Sequence, residues 1–529
     1  MSKKTSINHK TKQTFIGGAL ILVAAGIINR ILGFVPRILL PRIIGAEGVG
    51  LYQLGYPFLI VVLTFITGGI PLAVAKLVAE AESEGNENRV RKILKVSLAL
   101  SLMLGILLTS LCLLAADWIT NHLLTDDRVY TTFLMMSPII LLVAVSSVFR
   151  GYFQGRQNMI PTAVSQITET VIRIAAVLFF SWLMLPYGIE YAAAGAMLGV
   201  LTGELGGMLV MLGMYVWTRK AYHLYGKAKI GKNPHHMGGR SALKHIIRIS
   251  IPVTASKLVG SASYLFESIL TAQSLALAGV ATAAATAQYG ALQGMIMPVL
   301  LLPSALTFSL SVSLVPSLSE AAARGDMRTI HKRLHQSLRL ALVTGAPFAV
   351  IMFILAEPLC FYLYGQGEIG VMLKMLAPTA LFIYFQAPLQ AALQALDKPG
   401  TALVNTTVGA VVKLGLIYVL ASNPKMGILG AVMAICVNTI LVTMLHYSSI
   451  SRLLRFSMKI NDFIKTAAAM LLMGAACYYI MDMEWTSFAL VRFLASMAAG
   501  LAVYLAAIVI FKLVDRHDLK RIPGFRGKP

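Results

Sequence analysis

The chain has 529 residues, of which 57% are hydrophobic and only 13% are charged, and its mean hydropathy is +0.76. Soluble globular proteins carry about 25% charged residues, so this composition excludes that class and indicates a polytopic membrane protein. The net charge of +23 does not predict nucleic-acid binding, because no basic soluble domain is present to carry it. The four cysteines lie far apart in apolar segments, which is typical of core packing rather than of a metal site or disulfides.

Fourteen apolar segments are long enough to cross a bilayer, which takes about 20 helical residues. They lie near residues 15–40, 51–76, 93–116, 130–153, 162–186, 190–218, 245–274, 287–315, 337–357, 371–396, 402–421, 427–450, 463–481 and 488–511. The first segment is too long for a signal peptide and lacks a small-residue cleavage site. The sequence therefore predicts an all-α integral membrane protein with about 14 transmembrane helices.

The lysines and arginines between these segments are distributed unequally. Alternate segments from the N-terminus onward, counted with the adjoining helix ends, hold 34 of them, whereas the other loops hold only Arg42, Arg128 and Lys425. Positively charged loops stay in the cytoplasm. Both termini and residues 219–248 are therefore predicted to be cytoplasmic, in a multi-pass membrane protein.

The two halves of the chain repeat at an offset of 240 residues. The correspondence holds for Gly50 and Gly290, Gln53 and Gln293, Glu80 and Glu320, Gly85 and Gly325, and Arg173 and Lys413. Each repeat contains six predicted helices, an even number, so the repeats are parallel and the last two helices lie outside them. The predicted domains are a six-helix lobe (1–218), a cytoplasmic linker (219–244), a second six-helix lobe (245–458), and helices 13 and 14 with a tail (459–529).

One segment rich in glycine and lysine, residues 226–233, nearly matches a phosphate-binding loop. Asn233 stands where a Ser or Thr would hold magnesium, and no strand precedes the segment, so nucleotide binding is not predicted. No catalytic triad, zinc pair or pair of catalytic carboxylates stands out at membrane depth. The sequence predicts a transporter rather than an enzyme, without a cofactor or an ATPase subunit. If transport is not passive, it draws on a gradient such as that of Na⁺ or H⁺.

Charged residues inside the predicted helices cost about 3 kcal/mol or more at the bilayer centre, so each is expected to face a cavity or a partner. The cations are Arg30, Arg37, Arg173, Lys257 and Lys413, and the anions are Glu169, Glu204 and Glu267. Glu169 and Arg173 have the i,i+4 spacing of a structural ion pair. Lys374 is expected to extend to the outer interface, which Arg37 can also reach.

The remaining deep charges predict a binding cavity. Arg30 and Lys257 have no oppositely charged residue three or four positions away in their own helices. The predicted substrate-binding residues are Arg30, Arg37, Lys257, Arg173 and Lys413, and the ion-coupling candidates are Glu267 and Glu204. The surplus of deep cations favours an anionic substrate such as a phosphate or pyrophosphate head group.

Several motifs resemble a known family. The sequence Asn29-Arg30-Ile31-Leu32-Gly33-Phe34-Val35 resembles the Ser-Arg-x-Leu-Gly-Phe signature of lipid II flippases. Residues 45–52 and 69–80 are similar to the stage V sporulation protein B and polysaccharide-exporter branch, and residues 314–319 resemble the end of helix 8 in the flippases. Over residues 12–515 the chain is identified as a member of the multidrug/oligosaccharidyl-lipid/polysaccharide exporter superfamily.

The resemblance implies a MATE-like, V-shaped pair of six-helix lobes that alternates access, with helices 13 and 14 forming a groove for a lipid tail. It implies outward transport of a polyprenyl-pyrophosphate-linked saccharide, a cell-wall or spore-cortex precursor, so the expected partners are membrane lipid and this saccharide. Arg30 matches the first essential arginine of the flippases, and the second falls at Pro36, one residue before Arg37. Their cavity arginines on helices 2 and 8 correspond to Val61 and apolar residues near Pro298, which favours the sporulation-type branch.

Two other functions stay open at this point. A cation-coupled multidrug exporter of the same fold would use Glu267 as its ion site, but cationic drugs favour a net acidic cavity. A membrane scaffold for envelope-building enzymes would need no transport of its own, and the charges buried in the spans argue against it.

Overall fold

The computed structural model describes residues 15–225, 238–483 and 485–513, and within these ranges the chain is helical and contains no strand. The helices of the first part are α1 (Phe15–Leu32), α2 (Phe34–Thr67), α3 (Ile70–Ser83), α4 (Glu87–His122), α5 (Val129–Met136), α6 (Ile139–Gly155), α7 (Ile160–Met184), α8 (Ile189–Tyr225), α9 (Gly239–Leu277) and α10 (Thr282–Gly290). Those of the second part are α11 (Met297–Leu301), α12 (Ser304–Ala323), α13 (Met327–Ile354), α14 (Ala356–Tyr364), α15 (Gly370–Leu376), α16 (Ala380–Ala395), α17 (Pro399–Ala421), α18 (Ile428–Leu454), α19 (Ile460–Asp482) and α20 (Ala489–Ile510). The phosphate-loop-like segment 226–233 lies outside the described residues.

The prediction of an all-α, multi-pass membrane protein is confirmed. Eleven helical stretches of the described chain are long and apolar enough to cross a membrane, and the first of them, Ala24–Ser83, has 60 residues, enough for two crossings. The predicted spans at 245–274 and 287–315 are not among the eleven. The first is helical but carries several charges, and the second is divided between α10, a π-helical turn (Ala291–Ile296), α11 and α12. The count of fourteen stays a prediction.

The first helical stretch is interrupted at two glycines and not at Pro36. The chain passes from α1 to α2 at Gly33. Pro36 lies in the first turn of α2, where backbone N–H groups have no acceptor within the helix, so a proline costs no hydrogen bond there. A second break occurs at Gly45, whose φ of +67° is favourable only for glycine. These breaks let one continuous apolar sequence change direction without a loop.

The chain divides into two compact units, residues 1–294 and 295–529. The main core of unit 1 contains fully buried side chains such as Leu51, Leu54 and Phe133. In unit 2, α19 and α20 pack on α13, where the Tyr504 hydroxyl donates to the Val343 carbonyl at 2.7 Å. The predicted lobe boundaries stay predictions.

Within unit 1, α9 and α10 pack directly against α2. A Cβ atom added at Gly50 would lie 2.0 Å from the carbonyl oxygen of Thr286, and one added at Gly290 would lie 2.2 Å from that of Ala46. The two glycines, which share one repeat position, therefore bring the backbones of α2 and α10 into contact. Such small residues allow close helix packing in membranes, where van der Waals contact replaces the hydrophobic effect.

A polar network, here named the Asp126 latch, ties the α4–α5 loop to α2 and α10. It consists of Asp126, Arg128, Glu47 and Thr286. Asp126 is 2% exposed and accepts hydrogen bonds from Arg128 and, at 2.7 Å, from the Thr286 hydroxyl. Burial raises the pKa of Asp126, but these hydrogen bonds outweigh it, so the pKa lies below its usual range. The Asp126 hydrogen bond, opposed by burial, raises the pKa of Arg128.

The repeat predicted from the sequence is visible in the backbone. Left-handed residues recur 240 positions apart, at Gly85 and Gly325 (φ +66° and +68°), Thr125 and Gly365 (+58° and +77°), and Gln157 and Asp397 (+56° and +57°). Asn86 and Asp326, one residue after the first pair, cap α4 and α13 through their side chains. The two repeats therefore share turn geometry even where their residues differ.

Candidate functional site

A group of tyrosines and arginines in unit 1 forms the candidate site. Tyr52 and Tyr56, one turn apart on α2, stack with ring centroids 5.9 Å apart. Two arginines, Arg37 on α2 and Arg173 on α7, lie close enough for their charges to act on the Tyr52 phenol. The i,i+4 spacing aligns the two rings on one face of α2, and α7 packs on α2 to bring Arg173 to that face.

The same site receives polar groups from α9. Tyr264 interacts electrostatically with Tyr56, Tyr52 and Arg37. It also interacts with Glu267, one turn further along α9. Glu267 is 7% exposed, and its Oε1 accepts a hydrogen bond of 3.0 Å from Nε2 of Gln293. The site therefore combines cationic, phenolic and carboxylate groups, which can recognise an anion or hold a cation.

A local irregularity positions Gln293. It lies in the π-helical turn Ala291–Ile296, which replaces regular α-helix after α10. A Cβ atom at Gly294 would lie 2.1 Å from Val49 Cγ1 and 3.5 Å from Gln53 Cγ, so only glycine fits there without displacement. Such π turns inside helices are frequent at functional sites. Gln53 and Gln293, which correspond in the repeat, thus lie at the same place in unit 1.

Arg173 also belongs to a buried charge cluster. Its Nη1 donates to Glu169 Oε1 at 3.2 Å, which confirms the predicted i,i+4 pair, and Glu169 is 7% exposed. The sequence did not reveal the second partner: Arg150 on α6 donates from Nη2 to Glu169 Oε2 at 2.8 Å. Arg150 lies near the end of predicted span 130–153, among the cations assigned to the cytoplasmic side. Its position inside that span was the only sequence feature that could have indicated a partner for Glu169.

Glu204 on α8 completes this cluster. Its carboxyl group interacts electrostatically with Glu169, Arg150 and Arg173. Its Oε2 is buried and has no hydrogen-bond partner among the described residues. Gly207, one turn beyond Glu204, faces the Cβ of Glu169, where an added Cβ would lie at 2.9 Å. The glycines around Glu204 therefore bring α8 close to α7.

The predicted cations differ in burial and position. The side chains of Arg30, Arg37 and Lys257 are exposed, and Lys413 lies on α17 in unit 2, partly buried. The structure thus brings together Arg37, Arg173 and Glu267 around the tyrosines, and Arg173 and Glu204 in the cluster. The binding roles of all these residues stay predictions.

Comparison with protein families decides where the chain belongs. The family model described as polysaccharide biosynthesis protein matches residues 15–322, more than half of the chain, and the MatE model matches residues 261–419. The chain belongs to the polysaccharide biosynthesis protein family. The resemblance predicted from the motifs of helices 1 and 2 is thereby confirmed.

Curated relatives of this family member cover nearly its whole length. Stage V sporulation protein B of Bacillus subtilis (strain 168) is 41% identical over 97% of this chain and 98% of the relative. The lipid II flippase MurJ of the same organism is 27% identical over 97% and 98%. These relatives support a membrane transporter that acts in polysaccharide biosynthesis.

Solved structures agree on the fold. The lipid II flippase MurJ in its inward closed conformation superposes with a TM-score of 0.70 at 18% identity, covering 93% of this chain and 98% of that one. An inward-facing MATE family multidrug resistance transporter gives a TM-score of 0.62 at 16% identity, covering 80% and 94%. The MATE-like fold predicted from the sequence is therefore confirmed.

Proposed function

We propose that this protein is a flippase that moves an anionic polyprenyl-pyrophosphate-linked saccharide, a cell-wall or spore-cortex precursor, across the bacterial plasma membrane by alternating access. The observation that carries the proposal is that Arg173 and Arg37 both lie near enough to Tyr52, on the packed helices α7 and α2, for their charges to act on its phenol. Planar guanidinium groups bind phosphate oxygens through two hydrogen bonds, and neighbouring phenols donate further ones. The relatives named above support a lipid-linked substrate.

The test measures growth of cells depleted of their lipid II flippase. Expression of this chain is expected to restore growth if lipid II itself is accepted. Arg37→Ala and Arg30→Ala should each abolish the rescue while the protein still accumulates in the membrane. The lysine variants should rescue only partly, because an ammonium group cannot make the planar two-bond contact. Lys425→Ala, which removes an exposed cation of a predicted outer loop, is the matched control and should rescue fully.

We propose the orientation from the charge asymmetry, with both termini and the 219–248 segment cytoplasmic. A single cysteine at the exposed position Asn121 should react with an impermeant thiol reagent added to intact cells. A cysteine at Gly231 should react only after the cells are opened. The opposite pattern would exclude this topology.

A cation-coupled multidrug exporter is the second candidate, and one observation favours it. Glu267 is buried and hydrogen-bonded by Gln293, as expected of an ion- or proton-binding carboxylate, and the MatE match begins at residue 261. Under this alternative, Glu267→Gln abolishes resistance to cationic drugs. If expression of the unmodified chain confers no such resistance, the alternative is rejected.

A further inference from the structure

The cluster of Arg150, Glu169, Arg173 and Glu204 is balanced in charge only while all its members stay together. With all four ionised, two positive and two negative charges cancel. Glu169 uses both oxygens for the two arginines, at 2.8 Å and 3.2 Å, whereas Glu204 leaves Oε2 buried and unpaired among the described residues. Loss of either arginine would leave one uncompensated negative charge on two neighbouring carboxylates, which is costly at low dielectric.

Of the two arginines bound to Glu169, Arg173 is the one held by the weaker contacts. Its bond to Glu169 is the longer of the two, its second contact, to the Thr170 hydroxyl, measures 3.5 Å, and its side chain is 32% exposed. Its charge also acts on Tyr52, as does the charge of Arg37. A phosphate group bound beside Tyr52 would therefore compete with Glu169 for Arg173. Arg150 has the shorter bond and would remain with Glu169.

The surroundings of the two carboxylates contain few other groups that could replace Arg173. The α6 helix supplies Arg150, and α2 supplies Tyr52 and Arg37, whose charge acts on the Tyr52 phenol together with that of Arg173. The α1 helix, which packs on α7, carries Arg30, and α5, which packs on α8, contains no charged residue. Gly203 and Gly207 bring α8 close to α7 beside Arg173 and Glu169, which keeps the helices that carry the two carboxylates together.

We infer that Glu169 and Glu204 form a proton-binding site that fills when an anionic substrate draws Arg173 away from Glu169. One proton passes from water to a carboxylate oxygen of the pair, and the two carboxyl groups then share it through a hydrogen bond. The substrate phosphate takes over the Arg173 hydrogen bonds, and no other bond changes. When the substrate leaves, Arg173 returns to Glu169 and the proton is released. This inference rests on the proposed anionic substrate and adds a reason for transport to depend on protons.

The experiment uses the full-length protein in lipid nanodiscs, with undecaprenyl pyrophosphate as the probe. Binding is followed by isothermal titration calorimetry in two buffers of different ionisation enthalpy, which reports proton uptake. Infrared difference spectra recorded on binding report the carbonyl stretch of a newly protonated carboxyl group. Wild type is expected to take up about one proton per bound lipid, because the coupled pair titrates as a unit, and to show the carbonyl band.

Variants assign the proton to the cluster. Glu204→Gln should bind the lipid and lose both the proton uptake and the band. Arg150→Gln combined with Glu169→Gln keeps the cluster balanced and should keep both signals, because departure of Arg173 then leaves Glu204 as an uncompensated carboxylate. Loss of the proton uptake in this folded double variant would contradict the charge balance. Asp462→Asn, which alters a carboxyl group that is only 15% exposed and lies in unit 2, outside the candidate site and the cluster, should also keep both signals.

The outcomes separate this inference from the proposed function. Binding by wild type without proton uptake, or uptake that persists in folded Glu204→Gln, would overturn the proton site and leave the flippase proposal standing. If wild type binds no polyprenyl pyrophosphate, the proposed function fails, and this inference fails with it.

Discussion

The helix pairs α7–α8 and α17–α18 occupy the same place in the two repeats but use different chemistry. In unit 1, Glu169 and Glu204 meet Arg150 and Arg173. The corresponding residues of unit 2 are Gly409, Met444, Gln390 and Lys413, so only one charge remains. There, neutral hydrogen bonds join the helices, since the Asn405 amide lies 3.2 Å from His446 Nδ1 and 3.0 Å from Ser449 Oγ.

This difference shows that the helix pair does not need charges in order to pack. Small residues bring the helices together in both units, with Gly203 and Gly207 on α8 and Gly409 on α17. A buried ion pair adds little net stability compared with neutral packing, but breaking one is costly. The charges of unit 1 therefore point to function, and the following predictions test that reading.

The largest effect is expected from Glu169→Gln, which leaves two arginines with one carboxylate. The free energy of unfolding should fall by about 3–5 kcal/mol. The comparison change between α17 and α18 in unit 2, Asn405→Ala, removes neutral hydrogen bonds and should cost about 1–3 kcal/mol. Thermal unfolding of the purified variants in one detergent measures both. Equal losses would mean that the charges are no more critical than the neutral contacts.

Two balanced double variants then separate folding from transport. Glu169→Gln with Arg150→Gln, and Glu169→Gln with Arg173→Gln, each remove one charge of each sign, so both should recover much of the lost stability. Only the variant that lacks Arg173 should lose the ability to bind polyprenyl pyrophosphate. If both variants bind the lipid equally, Arg173 does not contact the substrate.

A smaller effect is expected where the repeats use the same chemistry, at Gly50. Gly50→Ala places a Cβ atom 2.0 Å from the Thr286 carbonyl oxygen, so α2 and α10 must separate, and such overpacking costs about 1–3 kcal/mol. The control is Gly213→Ala on α8, where no atom lies within 4 Å and alanine should be neutral or stabilising. Melting temperatures of the two variants measure the difference. A Gly50→Ala protein as stable as wild type would contradict the close backbone contact.

The Asp126 latch predicts that the stability of the protein depends on pH. The folded-state pKa of Asp126 is lowered, so its contribution is complete above the unfolded-state pKa and disappears as the pH falls through the folded-state value. Hydrogen bonds to a charged group are worth about 1.5–3 kcal/mol. Asp126→Asn should therefore be less stable than wild type near neutral pH, and the difference should shrink under acid. Melting curves from about pH 7 to about pH 3 bracket the ordinary carboxyl range. A constant difference would exclude the latch as the cause.

The smallest effect is expected at the helix cap that both repeats share. Asn86 accepts a hydrogen bond from the Arg89 backbone N–H at 3.0 Å, as Asp326 does from that of Thr329. Asn86→Ala should cost about 1 kcal/mol and speed hydrogen exchange in the first turn of α4. Exchange at α13 should be unchanged, which provides the internal control. Unchanged exchange at α4 would show that this cap is not needed.

The sequence predicted features that depend on local spacing. Hydropathy located the helices, the offset of 240 residues anticipated the paired turns at Gly85 and Gly325, and the i,i+4 rule found Glu169 with Arg173. It missed contacts that depend on how helices rotate against one another. Arg150 lies 19 residues from Glu169, and Asp126 lies 160 residues from Thr286. Nothing in one sequence specifies those rotations, because apolar residues cover every face of a membrane helix.

The packing of α9 and α10 has a consequence for how the protein could be divided. Both helices follow the segment 226–237 in the chain, yet they pack on α2, and α9 also packs on α3 and α4. At Gly69 an added Cβ would lie 2.3 Å from the Ser250 carbonyl oxygen. The packed unit therefore extends past the segment 226–237, which joins α8 to α9. If the protein were expressed as two fragments cut within this segment, α9 and α10 of the second fragment would pack on α2 of the first and hold the two together.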